Sequence, residues 1–295
     1  MRHTNRYICV MRRVLQRRRS CGKEGKTMKS SQMLAAEMRK TKLPHGFAAF
    51  WYIGQEGFVI LLDGRYILVD AFLTDMPPHR LYPPVMDAAD LGFVDYVFCS
   101  HGHDDHADAE TLSVLPRVNG KARFIMPAAV VPRATGLGVP PERITAAVQD
   151  SPITLDGLTV TPVPAAHESI HMDDEGRCEE LGYIFAADGI RIYHAGDCCP
   201  YDGQTERVAG VDVAMLPVNG RDYYRLSRGC IGNMDVREAL TLAREAGARL
   251  FVPMHYDAMR GNTVNPAVIV DTLYRDFPEQ RFKLMQPGER FVFMA

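Results

Sequence analysis

Four side chains able to bind a divalent metal fall within six residues of this chain. They are His101, His103, Asp105 and His106, in the run Ser100-His101-Gly102-His103-Asp104-Asp105-His106. Neutral imidazoles and a carboxylate are ligands that zinc, iron and manganese accept. Gly102 has no side chain to block the approach of His101 and His103. The whole chain holds ten histidines, so chance poorly explains three in one hexapeptide. Three later points carry the same chemistry: His167 in Pro164-Ala165-Ala166-His167-Glu168, Asp197 in Tyr193-His194-Ala195-Gly196-Asp197, and His255 in Pro253-Met254-His255-Tyr256-Asp257. Taken singly, His167 or His255 reads as an ordinary core or surface histidine. Together with the first loop, each reads as a ligand.

Each of these points follows an apolar β-type run, and a strand end fixes the base of a ligating loop. The pattern predicts a helix over 31–42, then a meander of strands at 48–53, 58–62 and 66–69, with Asp70 closing the third. Residues 71–93, rich in proline, read as a long loop, with His79 and Arg80 facing solvent. A strand at 94–99 delivers the metal loop. Beyond it the expectations are a helix over 107–118, a strand at 122–126 and a helix over 128–137 after Pro127. Hairpins follow at 153–155 with 158–163, and at 181–187 with 190–194. The C-terminal part reads as a strand at 211–218, a helix near 235–246 behind Asp235, a strand at 249–253, a helix near 265–276, and two short strands at 282–285 and 290–294. This order predicts an α/β chain folded as an αββα sandwich, two mixed sheets face to face with helices on the outer faces.

Length and composition agree with one large domain. At 295 residues and 46% hydrophobic content the chain can bury a full core. No apolar run approaches the roughly 20 residues of a membrane span. Seven cysteines, an odd number at irregular spacing, argue against a disulfide framework and for the cytoplasm. Cys198, next to Asp197, reads as a bystander thiol. Residues 1–30 carry ten Lys/Arg and one acid, Glu24, and read as a basic, disordered leader or a mis-assigned start ahead of a domain at 31–295. The acidic remainder is a poor match for a nucleic-acid backbone. No membrane partner is expected, and a homo-oligomer stays open.

The pattern His-x-His-x-Asp-His resembles the signature of the metallo-β-lactamase fold superfamily. The flanking motifs, with Trp51-Tyr52-Ile53-Gly54-Gln55-Glu56-Gly57-Phe58 and Pro217-Val218-Asn219-Gly220-Arg221-Asp222, resemble the L-ascorbate-6-phosphate lactonase (UlaG-like) family over residues 45–295. The resemblance implies two divalent ions, manganese or zinc with iron as a further option. His101, His103 and His167 would hold one, Asp105, His106 and His255 the other, and Asp197 would bridge them. A shared water then ionises near neutral pH, and Asp105 or Asp197 guides its proton. The implied reaction opens the lactone of a small phosphorylated sugar acid. Arg221 and Arg228, with Asn219, Asn233 and Tyr223 nearby, are the expected substrate contacts, since guanidinium forks fit phosphate. Glu168, His171 and His194 are expected to orient ligand imidazoles. The alternatives are a phosphodiesterase or nuclease on the same fold, or a metal-binding protein without catalysis.

Overall fold

The computed structural model describes residues 29–295; the basic leader, but for Lys29 and Ser30, lies outside the described residues. The strands in chain order are β1 (Phe47–Gly54), β2 (Gly57–Leu62), β3 (Arg65–Val69), β4 (Tyr96–Phe98), β5 (Arg123–Pro127), β6 (Ile144–Ala147), β7 (Ile153–Leu155), β8 (Leu158–Pro164), β9 (Leu181–Ala187), β10 (Ile190–His194), β11 (Val213–Pro217), β12 (Leu250–Met254) and β13 (Arg290–Met294). They form a seven-stranded sheet, β13-β1-β2-β3-β4-β5-β6, and a six-stranded sheet, β12-β11-β10-β9-β8-β7. Both are mixed. The first turns from antiparallel to parallel at β3, the second at β10.

The helices are α1 (Ser31–Lys40), α2 (Ala109–Val118), α3 (Val131–Gly136), α4 (Gln204–Val208), α5 (Tyr223–Leu226), α6 (Val236–Glu245) and α7 (Pro266–Asp276). Strand β1 shows why the layers stack. Phe50 and Tyr52 enter the core shared with the second sheet, while Ala49, Trp51 and Ile53 enter a second core with Leu34, Met38, Leu112 and Leu115 from α1 and α2. A strand covered on both faces is apolar without alternation. On the far side α6 packs against β11 and β12, and α7 against α6. This is the expected αββα sandwich.

Differences from the sequence expectation are local. Strand β6 lies at a sheet edge and its Ile-Thr-Ala-Ala run carries little β signal. Helices α4 and α5 are five and four residues long, too short for a periodic signal. Residues 282–285 form no strand; Phe282 makes a single bridge to Phe251. Arg80 is corrected from solvent-facing to buried, at 5% exposure. Its guanidinium stacks on Phe72 and donates to the carbonyls of Phe72, Thr74 and Tyr82, so it pins the proline-rich loop from inside.

Asp108 ties that loop to the metal loop. It caps α2 by accepting from Thr111 N, and its buried carboxylate also accepts from Leu73 N and the Thr74 and Thr111 hydroxyls. Asp108→Ala removes a cap and strands several buried donors. It should cost on the order of 3 kcal/mol in urea unfolding; a loss below about 1 kcal/mol would show that the two loops hold without it.

Candidate metal centre

The candidate ligands lie at the carboxyl ends of strands from both sheets. Strand β4 leads into the 101–106 loop, β8 to His167, β10 to Asp197 and β12 to His255. The hairpin turn between β1 and β2 brings Gln55 and Glu56 to the same end. Gly196 precedes Asp197 with φ +62°, and a Cβ there would lie 2.7 Å from that of Ser100. Glycine is required where β10 meets the metal loop.

Two groups of donors result. His101, His103, His167 and Asp197 bring ligand atoms within 4.8 Å of one another, as do Asp105, His106 and His255. His106 Nε2 lies 3.6 Å from Asp105 Oδ2 and 3.5 Å from Asp197 Oδ1; His255 Nε2 lies 3.7 and 3.3 Å from the same oxygens. Ligands placed tetrahedrally on bonds of about 2.1 Å are about 3.4 Å apart. These four contacts are therefore at the spacing of ligands about one divalent ion. In the other group His101 Nε2 and His167 Nε2 are each 3.9 Å from Asp197 Oδ2, and His167 Nε2 is 3.2 Å from His103 Nδ1. Asp197 presents Oδ1 to one group and Oδ2 to the other. His101 Nε2 and His106 Nε2 are buried with no hydrogen-bond partner, as nitrogens reserved for a metal would be.

Neighbouring groups prepare the donors. Burial, then the positive potential of His106, holds His101 well below its ordinary value. His167 falls to about 4, chiefly by burial. Both are thus neutral, the form that ligates. Burial alone would lower His106, but Asp105, Asp197 and Asp70 outweigh it and push it well up. Asp70 Oδ2 sits 2.9 Å from His106 Nδ1, and its Oδ1 accepts from Ser100 N, so one carboxylate orients both the imidazole and the loop. Asp197 would be raised by burial, yet His255 and His106 hold it well below the usual range. Asn233 Nδ2 donates to Asp197 Oδ1 at 2.8 Å and to Asn219 Oδ1 at 3.1 Å.

Several expected roles move. Arg221 is committed to Glu238 through both terminal nitrogens, which removes its fork from any phosphate. Arg228 lies over the Tyr224 ring, and Tyr223 is 86% exposed; neither lines the cleft beside the metal donors. Asn219 and Asn233 are buried; Asn233 holds Asp197, and Asn219 accepts from Asn233 and donates to Asn262. Glu168 and His171 are exposed, His171 facing Ser169 and Glu180, so neither orients a ligand imidazole. His194 is buried, but its Nε2 faces the Glu56 carbonyl and its Nδ1 accepts from Gly196 N; it shapes a turn. Cys198 is a bystander as expected. Its thiol is pushed up to about 12, chiefly by burial, and accepts from Ala166 N.

Residues absent from the expected site are Gln55, Glu56, Asp70 and Arg260. Asp70 had a signal, a lone carboxylate closing an apolar strand. Gln55 and Glu56 were masked by their place in a glycine-flanked hairpin turn. Glu56 is 0% exposed with neither carboxylate oxygen bonded, and burial, then Asp197, raises it well above the usual range.

The acid response of the metal-free protein tests this arrangement. His167 ordinarily titrates near 6.5 and is lowered to about 4 in the fold. Unfolding then takes up a proton between those values, so its stabilisation is full above about pH 6.5 and is lost as pH falls through about 4. Urea midpoints of chelator-treated protein should drop across that window, and His167→Gln should flatten the slope. An unchanged slope in the variant would place the acid sensitivity elsewhere.

Residues 65–256 match a family model described as Beta-lactamase superfamily domain. A UPF0173 metal-dependent hydrolase of Opitutus terrae is 30% identical over 250 residues, covering 81% of this chain and 96% of that protein. Another, of Methanoculleus marisnigri, is 32% identical over 203 residues, covering 66% of this chain and 80% of that protein. Among solved structures, the metallo hydrolase Igni18 of Ignicoccus hospitalis shares the fold, with a TM-score of 0.65 at 24% identity over 84% of this chain and 99% of that one. On these matches the chain belongs to the beta-lactamase superfamily, as a relative of the UPF0173 metal-dependent hydrolases.

Proposed function

We propose that this protein is a metal-dependent hydrolase that opens a small anionic lactone or related ester, with the lactone of a phosphorylated sugar acid as its substrate class. The observation that carries the reading is one cleft of about 380 Å³, lined by His103, Asp105, His167, Asp197 and His255 together with Arg260 and Asn262. The metal donors and an unpaired guanidinium thus share a space sized for a small molecule. The lactone itself rests on the resemblance of the flanking motifs.

Bound divalent ions would supply Lewis acidity and a water that ionises near neutral pH. The chain does the rest. Asn233 fixes Asp197, so that carboxylate keeps both oxygens aimed at the donor groups. Asp105 Oδ2 is the oxygen turned to His106 and His255, which leaves Asp105 Oδ1 to take the proton of the attacking water. Water adds across the acyl C–O bond: its oxygen goes to the carbonyl carbon, and a proton, relayed by Asp105, goes to the leaving alkoxide. Arg260 donates through Nε to the Pro78 carbonyl at 3.0 Å, its only side-chain bond among the described residues. Its terminal nitrogens are therefore free for a phosphate or carboxylate. Phe72, Met76, Ile231 and Met259 give the cleft an apolar wall that limits water.

The test pairs elemental analysis with turnover of L-ascorbate 6-phosphate, a neutral lactone and a phosphodiester, with manganese or zinc added back. Ring opening of the phosphorylated lactone supports the reading. Turnover of the phosphodiester alone would transfer the site to a phosphodiesterase. Arg260→Ala should raise KM for the phosphorylated lactone about tenfold or more, as expected for loss of a charge-assisted contact of roughly 1.5–3 kcal/mol. The neutral lactone should be unaffected; an equal loss on both would remove Arg260 as an anion anchor.

A further inference from the structure

We infer that Gln55 is a further metal ligand, through its side-chain oxygen, for the ion held by Asp105, His106 and His255. The inference rests on the reading that these donors hold a metal, and extends it to a residue in the turn between β1 and β2.

Distances carry the argument. The Gln55 side-chain nitrogen lies 2.7 Å from Asp105 Oδ2 and 2.9 Å from His255 Nε2. Those two atoms are themselves 3.7 Å apart, at the spacing of two ligands on one ion. Adjacent ligands at right angles on bonds of about 2.1 Å stand about 3.0 Å apart. The end of the Gln55 side chain is thus at the spacing of an added ligand beside Asp105 and His255.

The chemistry decides which atom faces the ion. As it stands, the amide N–H₂ group donates to a carboxylate oxygen and an imidazole nitrogen, the two atoms a cation would otherwise draw together. An N–H donor cannot face a cation. The amide is nearly symmetric in shape, and a half-turn about its terminal bond exchanges nitrogen for oxygen with little displacement. Gln55 Oε1 is buried and has no hydrogen-bond partner. The turn would give it one.

The backbone is built to hold this residue. Gln55 is buried and adopts φ +59°, and His255 adopts φ +56°. Non-glycine residues rarely take this conformation, and it persists only where surroundings enforce it. Here each enforces the other, because His255 N donates to the Gln55 carbonyl at 2.7 Å. The Tyr52 hydroxyl lies 3.0 Å from the same carbonyl. A ligand and its neighbour are thereby locked in register across the two sheets.

The test is a cobalt(II) titration of chelator-treated protein, followed by visible absorption, on wild type, Gln55→Leu and Gln55→Glu. Five-coordinate cobalt absorbs more weakly than tetrahedral cobalt. Wild type should take up two ions. Gln55→Leu should weaken the second ion at least tenfold, leave the first unchanged, and give a stronger band as the second ion loses a ligand. Gln55→Glu supplies an anionic oxygen at the same reach, so it should bind the second ion at least as tightly as wild type and keep the weaker band. If Gln55→Leu is poorly folded, the Glu variant carries the test alone. A second ion bound by Gln55→Leu as tightly as by wild type, or more tightly, overturns the inference, since the amide would then be only a hydrogen-bonding stand-in. So does a Glu variant that loses the second ion. Wild type that binds no cobalt overturns the metal reading beneath it.

Discussion

A buried carboxylate among imidazoles is the constraint on which this structure turns. Asp197 is almost fully buried, and four imidazoles, those of His101, His106, His167 and His255, lie within 4 Å of its oxygens. An unpaired buried anion is costly, so it must be met by cations and donors brought to it. His101 and His167 approach one oxygen, His106 and His255 the other, and Asn233 donates from the side. The same arrangement sets metal-type donors about each oxygen of Asp197. Electrostatic need and metal geometry are met by one arrangement.

That arrangement depends on the spacing of the two sheets, because each supplies part of the site. The sheet ends are stitched directly. Leu181 N donates to the Ser100 carbonyl, the Tyr183 hydroxyl to the Cys99 carbonyl, and His255 N to the Gln55 carbonyl. The apolar core between them, with Phe58, Phe98 and Phe185, sets the separation. These bonds set where the metal loop lies against Asp197 and where His255 lies against the hairpin turn. At this end Gln55, Asp70, Glu168 and His255 all have left-handed backbones. Rigid strands carry that strain, which is how donors can be held within a few tenths of an ångström of metal-binding spacing.

The strand-end histidines and Asp197 were legible in the sequence because their signal is local. A polar, ligating residue directly after an apolar run is visible in a window of ten residues, and so is the strand that places it. The hairpins across Asp63-Gly64, Asp156-Gly157 and Asp188-Gly189 were legible for the same reason. The turn at Gln55-Glu56 obeys the same turn chemistry, and that concealed it. Two long polar side chains in a hairpin turn normally face solvent. Here the turn is roofed by Tyr82, whose ring lies against Gly54, and by Asp257, which accepts from Tyr52. The covering residues lie 26 or more positions away in sequence, beyond any local pattern.

The arginines show where reading by residue type fails. Arg80, Arg221, Arg225, Arg228 and Arg260 have the same fork and the same charge, and only their neighbours tell them apart. Arg80 is spent on backbone carbonyls, Arg221 on Glu238, Arg225 on Asp222 and the Asn219 carbonyl, and Arg228 on an aromatic ring. Arg260 makes one side-chain bond among the described residues, to the Pro78 carbonyl, and lines the cleft. An anion site needs a cation left over after internal pairing, and what is left over is a property of the whole fold. The two loops that produce it, at 71–93 and after β12, meet in an antiparallel bridge between Arg80 and Met259. The metal-type donors thus sit on strand ends, where position is rigid, and the arginine left over sits on paired loops.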